Sequence, residues 1–210
     1  MFEEISINTQ SSIRIKGEKT IYFDPIEITE VIHDTDVIFI THDHYDHYSA
    51  EDVWKVGNSG TILVLPEKMK KQASEQAENF REKPMMVKPG ETYEIAGLKV
   101  ETVHAYNNLK PFHPKRNGWV GYIVTMNGKR YYVAGDTDSN KDNETVRCDV
   151  ALIPIGGTYT MNAKEAAKFI NKIRPGCAVP THYGSIVGSP EDFDTFKARV
   201  DEGILVVEKL

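Results

Sequence analysis

Thr41-His42-Asp43-His44-Tyr45-Asp46-His47 places three of the chain's seven histidines, and two aspartates, in one short segment. Imidazole and carboxylate are the ligands that zinc and similar divalent ions take. The segment offers more donors than one tetrahedral ion accepts from so short a stretch. Its spacing suggests two adjacent ions, with His42 and His44 on one and Asp46 and His47 on the other. A helical zinc-protease site needs histidines at i and i+4, and this segment has none so placed.

Val37-Ile38-Phe39-Ile40 runs directly into the motif. Consecutive apolar residues of β-branched and aromatic type read as a strand buried on both faces. Ser49-Ala50-Glu51-Asp52 follows, an N-cap with an acid at its fourth position, which starts a helix. The ligand loop is thus held between a core strand and a capped helix. The carboxyl ends of strands in open α/β sheets are where ligands usually bind.

The remaining chain alternates strand-like and helical runs. Strands are expected at Phe2–Asn8, Ser12–Lys16, Thr20–Phe23, Thr61–Leu65, Pro84–Lys88, Thr92–Ile95 and Leu98–Val103. Trp119–Met126 and Lys129–Ala134 read as a hairpin around Asn127-Gly128, a type I′ signal. Val150–Ile155, Cys177–Pro180 and Ile204–Val207 complete the strands. Helices are expected over Pro66–Phe80, from an Asn162 cap with Glu165 to Ile173, and over Pro190–Val200. Two groups of strands, each interleaved with helices, fit an α/β fold of two mixed sheets packed face to face with helices outside.

At 210 residues and 40% hydrophobic content, one domain over residues 1–210 is expected. A net charge of −6 gives no general affinity for nucleic acid. No apolar run approaches the roughly eighteen residues of a membrane span. The acidic start Met1-Phe2-Glu3-Glu4 does not read as a signal peptide. Cys148 and Cys177 stand apart, outside any Cys-x-x-Cys, and read as buried reduced thiols. Together these features point to the cytoplasm.

A two-metal site needs more ligands than the motif supplies. His104 follows the run Val100–Val103, Asp136 follows Tyr131–Gly135, and His182 follows Cys177–Thr181. Each lies just past an apolar run, as His42 does, and separate strand ends converge on one rim of a sheet. Asp24, which ends Ile21-Tyr22-Phe23, is placed to hydrogen-bond the second nitrogen of a ligand histidine. Residues 105–118 form a long irregular segment, and such segments are usually functional or disordered. It carries Asn107, Asn108, Lys110, His113, Lys115 and Arg116, a basic patch in an acidic protein. His113 and Lys115 are the residues expected to contact an anionic or carbonyl group of a substrate.

The pattern resembles the metallo-β-lactamase superfamily. The residues that carry the resemblance are His42-x-His44-x-Asp46-His47, then His104, Gly135-Asp136-Thr137 and Pro180-Thr181-His182-Tyr183-Gly184. It implies an αββα sandwich. It also implies one metal on His42, His44 and His104, a second on Asp46, His47 and His182, and Asp136 between them. Asp24-Pro25, Phe112-His113-Pro114-Lys115 and His182-Tyr183-Gly184 make the chain similar to the small stand-alone branch that includes ascorbate-6-phosphate lactonase.

Two divalent ions, partly neutralised by Asp46, Asp136 and a bridging hydroxide, leave about one positive charge. Such a site makes hydroxide near neutral pH and stabilises charge developing on a carbonyl or phosphoryl oxygen. Hydrolysis of a small anionic lactone or phosphoester is the expected reaction, and the resemblance adds proton handling by Asp46. Zinc is the default metal, with manganese and iron the alternatives. The expected partner is a small-molecule substrate, with no membrane, and the oligomeric state, a homo-oligomer included, is left open. The alternative within the fold is a nuclease or phosphodiesterase, but such relatives add a substrate-binding arm that this acidic chain has no room for. A di-iron redox protein of the fold typically replaces the second motif histidine with glutamate and carries a flavin domain, and neither is seen. A non-catalytic metal-binding protein would be marked by lost ligands, and every ligand position is filled.

Overall fold

A computed structural model of the protein describes residues 2–210. Ile5–Ile7 (β1), Ile13–Lys16 (β2), Thr20–Phe23 (β3), Thr35–Phe39 (β4), Gly57–Pro66 (β5) and Met85–Val87 (β6) form one sheet in that order. Thr92–Ile95 (β7), Leu98–His104 (β8), Val120–Met126 (β9), Lys129–Val133 (β10), Val150–Pro154 (β11), Cys177–Thr181 (β12) and Leu205–Val206 (β13) form the other, again in chain order. Helices Ala50–Val56 (α1) and Lys70–Gln76 (α2) belong to the first half of the chain, and Ala163–Ile173 (α3) and Glu191–Lys197 (α4) to the second.

Both halves follow one plan. β1 to β3 pair antiparallel and β3 to β6 parallel. Likewise β7 to β10 pair antiparallel and β10 to β13 parallel. Parallel neighbours need crossovers, and α1, α2, α3 and α4 supply four of them. This is the expected αββα sandwich of two mixed sheets.

Burial follows the strand period. Ile21, Phe23, Val37 and Phe39 of the first sheet meet Val120, Tyr122, Val133 and Leu152 of the second in a continuous apolar layer. The alternate faces pack outward on helices: Ile38, Leu63 and Leu65 beneath Val53, Val56 and Met69, and Ala151 and Ile153 beneath Ala166, Phe169 and Phe196. Each such aromatic or branched side chain contributes about 1.5–3 kcal/mol on full burial. Tyr122 lies 4.9 Å from the Phe39 ring and donates its hydroxyl to Ile40 O at 2.7 Å. That bond ties the two sheets together directly behind the Thr41–His47 loop.

The expected strands and helices form, with ends that shift by local chemistry. Asn127 and Gly128 take the two left-handed conformations, φ 51° and 72°, of the anticipated type I′ turn. Asn162 and Glu165 form the reciprocal capping box. Ser49 caps α1 by accepting from Asp52 N at 3.2 Å. The Asp52 carboxylate does not return to Ser49, however; it accepts from Glu27 N and Ile28 N at 3.0 and 3.2 Å and so fastens the segment after β3. The helix expected over Pro66–Phe80 is shorter. Glu67–Met69 is a 3-10 turn, and Met69 (φ −91°, ψ 33°) separates it from α2. Phe80 instead turns in toward Gly57, where an added Cβ would stand 2.6 Å from its ring.

Candidate metal centre

The loop after β4 is built to turn ligands inward. Ile40 N still donates to Val64 O at 2.9 Å, but Thr41 N leaves the sheet and donates to Asp24 Oδ1 at 2.7 Å. Thr41 Oγ1 donates to Asp24 Oδ2 at 2.6 Å and lies 2.9 Å from His42 Nδ1. A tight turn follows, with His47 N and Tyr48 N both donating to His44 O. It brings His42, His44, Asp46 and His47 to one side of the loop.

Asp136 arrives from the end of β10, and Gly135 (φ 63°) lets it come close: a Cβ there would sit 3.0 Å from Thr41 Cβ. His182 follows β12 with its N–H on Gln10 O at 3.0 Å. Gly156, at the end of β11, passes so near that an added Cβ would be 2.2 Å from His182 O. Backbone thus packs directly on backbone there, in a space that only glycine leaves open.

Three overlapping groups of side chains result, each with ligand atoms within 4.8 Å of one another: His42, His44 and His113; His42, His47 and Asp136; Asp46, His47 and His182. His104 belongs to none of them, and His113 stands where His104 was expected. β8 ends at His104, which is registered against Val120 and lies beside Lys115 and Asp142 rather than the aspartates of the site. The chain then runs through residues 105–112 before it re-enters the centre at His113. Asn107 fixes that return: its N–H donates to His113 O at 2.9 Å, and its amide donates to Tyr159 O at 2.6 Å. His113 is 2% exposed, with φ 56°. It thus lies among the ligand candidates, where a substrate contact was expected from sequence. The Trp119 ring packs against His42, His44 and His113, with centroids 4.9, 4.8 and 5.4 Å away. From sequence, Asn107 counts only as part of the polar segment 105–118 and Trp119 only as the start of a strand; their packing on the site comes from the fold.

The two oxygens of Asp136 face different groups. Oδ2 is 3.2 Å from His113 Nε2 and 4.0 Å from His42 Nε2. Oδ1 is 3.2 Å from His47 Nε2 and 3.6 Å from His182 Nε2. Asp46 Oδ2 is 3.2 Å from His182 Nε2 and 4.0 Å from His47 Nε2. Asp24 lies on the far side of His47, with Oδ2 accepting from Nδ1 at 2.7 Å. That bond leaves Nε2 to face the centre, the tautomer a metal ligand requires.

The Nε2 atoms of His42, His47 and His113 and Oδ1 of Asp136 are buried and make no hydrogen bond among the described residues. An unsatisfied buried polar atom costs about 1–3 kcal/mol. Several converging on one space fit divalent cations, which would satisfy them together. Charge follows the same logic. Burial alone would raise the Asp136 carboxyl, but His182, His47 and His113 hold it well below the usual carboxylate range. Burial, then the neighbouring His47, keeps His42 well below its ordinary value and so neutral. Burial would likewise raise Asp46, and its contact with His182 holds it lower. Burial pushes Asp24 up, opposed by His47 and Thr41.

Lys115, expected at the substrate, pairs with Asp142 and lies over the Tyr106 ring at 4.8 Å. Lys110 is held by Asp138 and Thr160 O.

Residues 4–182 match the Beta-lactamase superfamily domain. The chain belongs to that superfamily. The match ends on His182, so it contains every candidate ligand. The UPF0173 metal-dependent hydrolase of Pyrococcus abyssi is 33% identical over 207 residues, 92% of this chain and 90% of the relative. That of Methanopyrus kandleri is 34% identical over 185 residues, 83% and 78% of the two chains. Among solved structures, a protein described as a metal-dependent hydrolase from Parabacteroides distasonis superposes with a TM-score of 0.80 at 29% identity, over 98% of this chain and 92% of that one. Igni18, a metallo hydrolase from Ignicoccus hospitalis, shares the fold (TM-score 0.75, 20% identity, 98% and 94% coverage). Among the described residues of this superfamily member, no helix is long and apolar enough to cross a membrane.

Proposed function

We propose that this chain is a hydrolase with a dinuclear metal centre, acting on a lactone or phosphoester group of a small molecule. The observation that carries the reading is the placement of Asp136, whose Oδ2 faces His113 and His42 while its Oδ1 faces His47 and His182. A carboxylate so shared suits a bridge between two ions. His42, His44 and His113 would hold the first, and Asp46, His47 and His182 the second. The donor set of five imidazoles and two carboxylates favours zinc over magnesium or calcium.

Divalent ions bound there would supply Lewis acidity toward a carbonyl or phosphoryl oxygen and lower the pKa of water. The protein's own contribution is positioning and proton handling. Asp24 fixes His47 through Nδ1, and Trp119 packs the rings of His42, His44 and His113 into place. Asp46 carries a carboxyl held below its ordinary value, so it is ionised at neutral pH and able to accept a proton from the attacking water. Unpaired Cys148 and Cys177 suit a reducing compartment, the cytoplasm.

Metal analysis of the purified protein, with hydrolysis of a lactone and phosphoester panel, tests the reading. About two ions per chain are expected in the native protein, with activity lost in Asp136→Asn. Fewer than one ion under metal-replete conditions, or activity untouched by that substitution, overturns it.

A further inference from the structure

The anionic substrate expected from the basic patch of residues 105–118 loses its support once those residues are placed. Lys110 is taken up by Asp138 and Thr160 O, and Lys115 by Asp142. Arg116 is exposed and forms no ion pair among the described residues. A single solvent-screened cation is worth little as an anion site. The exposed carboxylate of Asp43 lies in the ligand loop itself and repels anions.

The loops that carry the ligands instead show apolar side chains to solvent. Tyr45, between His44 and Asp46, is 78% exposed. Phe112, next to His113, is 45% exposed, and its ring meets Tyr159 edge-on at 4.7 Å. Ile186, four residues after His182, is 40% exposed. Leu109, in the same segment as His113, is 97% exposed. Scattered exposed apolar residues need no explanation, but these are carried by the same loops as the candidate ligands, as the lining of a binding surface would be.

We infer that the substrate is a neutral carboxylic ester or lactone whose apolar alkyl or aryl substituent rests on Tyr45, Phe112 and Ile186. This inference rests on the hydrolase reading and names the substrate class of the same site. In the reaction, the oxygen of water bonds to the carbonyl carbon and the acyl C–O bond breaks. One water proton ends on the alcohol oxygen and the other is released as the carboxylic acid ionises. A lactone gives one hydroxy-carboxylate, and no further reactant is needed.

The test is a series of γ-lactones bearing methyl, butyl, hexyl or phenyl at the γ-carbon, set against a γ-lactone bearing a phosphate and against p-nitrophenyl phosphate. All are assayed on metal-loaded protein. A fully buried methylene is worth roughly a factor of four, so on side chains this exposed kcat/KM should rise about two-fold per methylene. The anionic members should be at least about ten-fold poorer. Tyr45→Ser and Phe112→Ser should flatten the chain-length dependence, chiefly through KM. The corresponding alkyl γ-lactams, whose unstrained amide hydrolyses far more slowly than the ester, provide a separate readout by titration calorimetry, with affinity rising along the series in the native protein and less in the variants. Faster hydrolysis of the anionic compounds with no chain-length dependence overturns the inference and leaves the hydrolase reading standing. No hydrolysis of any member by protein holding two ions overturns the hydrolase reading, and flat lactam affinities then overturn the apolar rim as well.

Discussion

Asp24 Oδ2 accepts from His47 Nδ1 at 2.7 Å, with both side chains fully buried, while Asp136 Oδ1 stands 3.2 Å from the opposite ring nitrogen. The two aspartates hold corresponding places in the two halves of the fold, just past β3 and just past β10, so the imidazole sits between equivalent strand ends of opposing sheets. One carboxylate orients it and the other faces its second nitrogen.

Asp24→Asn should therefore weaken metal at the Asp46, His47 and His182 group without removing a ligand. Loss of a carboxylate behind a ligand histidine typically costs about 10–100-fold in metal affinity. Competition with a chromophoric chelator should release one of two ions more readily from the variant. Equal retention of both ions would show that Asp24 does not orient His47.

His113 and His104 are separated by a pair of alanine substitutions. His113→Ala should lower metal content toward one ion and cut activity at least about 100-fold, since it removes a direct ligand. His104→Ala should keep both ions, because its side chain lies by Lys115 and Asp142. Metal-to-protein ratios of the two variants decide the matter, and the reverse outcome would restore the expectation from sequence.

Gly156→Ala is expected to be costly although the change is one methyl. Its Cβ would fall 2.2 Å from His182 O, and His182 is itself pinned to Gln10. Overpacking of this kind costs about 1–3 kcal/mol, and here backbone must move. Urea denaturation should show a loss at the upper end of that range, together with weaker metal retention at the His182 group. Unchanged stability would mean that β11 and β12 can part at no cost.

Glu101 and Arg130 form a two-point pair across β9, at 2.7 and 3.2 Å. Arg130 is the main cause that holds the Glu101 carboxyl at about 2, against an ordinary value of 4.5. Because the folded-state value is depressed, the stabilisation is complete above about pH 4.5 and is lost as pH falls toward 2. The pair is partly solvated, so solvent screening leaves about 1 kcal/mol. Glu101→Gln should lower unfolding stability by that amount at pH 7 and by progressively less between pH 4.5 and 2. A constant difference across the range would show that the ion pair is not the cause.

Much of this protein was readable before its fold was known, because the signals are local. Strand periodicity, the Asn127-Gly128 turn and the Asn162 to Glu165 box depend on neighbours a few residues apart, and each is found as expected. The His42 to His47 motif is likewise local, since a single turn after β4 gathers it. Position just past a strand also found Asp24, Asp136 and His182, because parallel strands end on one rim. The same rule pointed to His104, which belongs to none of the three groups. A strand end says where a chain leaves a sheet, not which way the side chain then faces, and the candidate ligand His113 enters nine residues later on a path set by Asn107, Tyr159 and Trp119.

Charge in residues 105–118 could not be read along the chain for a related reason. Lys110 and Lys115 find their carboxylates 28 and 27 residues away, at Asp138 and Asp142. Composition along the chain therefore showed a basic patch where the folded surface shows paired lysines and the exposed side chains of Leu109 and Phe112. The amino-acid sequence determined the strands, the helices and the chemistry of the metal loop, because those rest on short-range backbone and side-chain preferences. Which histidine completes the centre, and what surface surrounds it, depended on contacts between distant segments that exist only once the two sheets have packed.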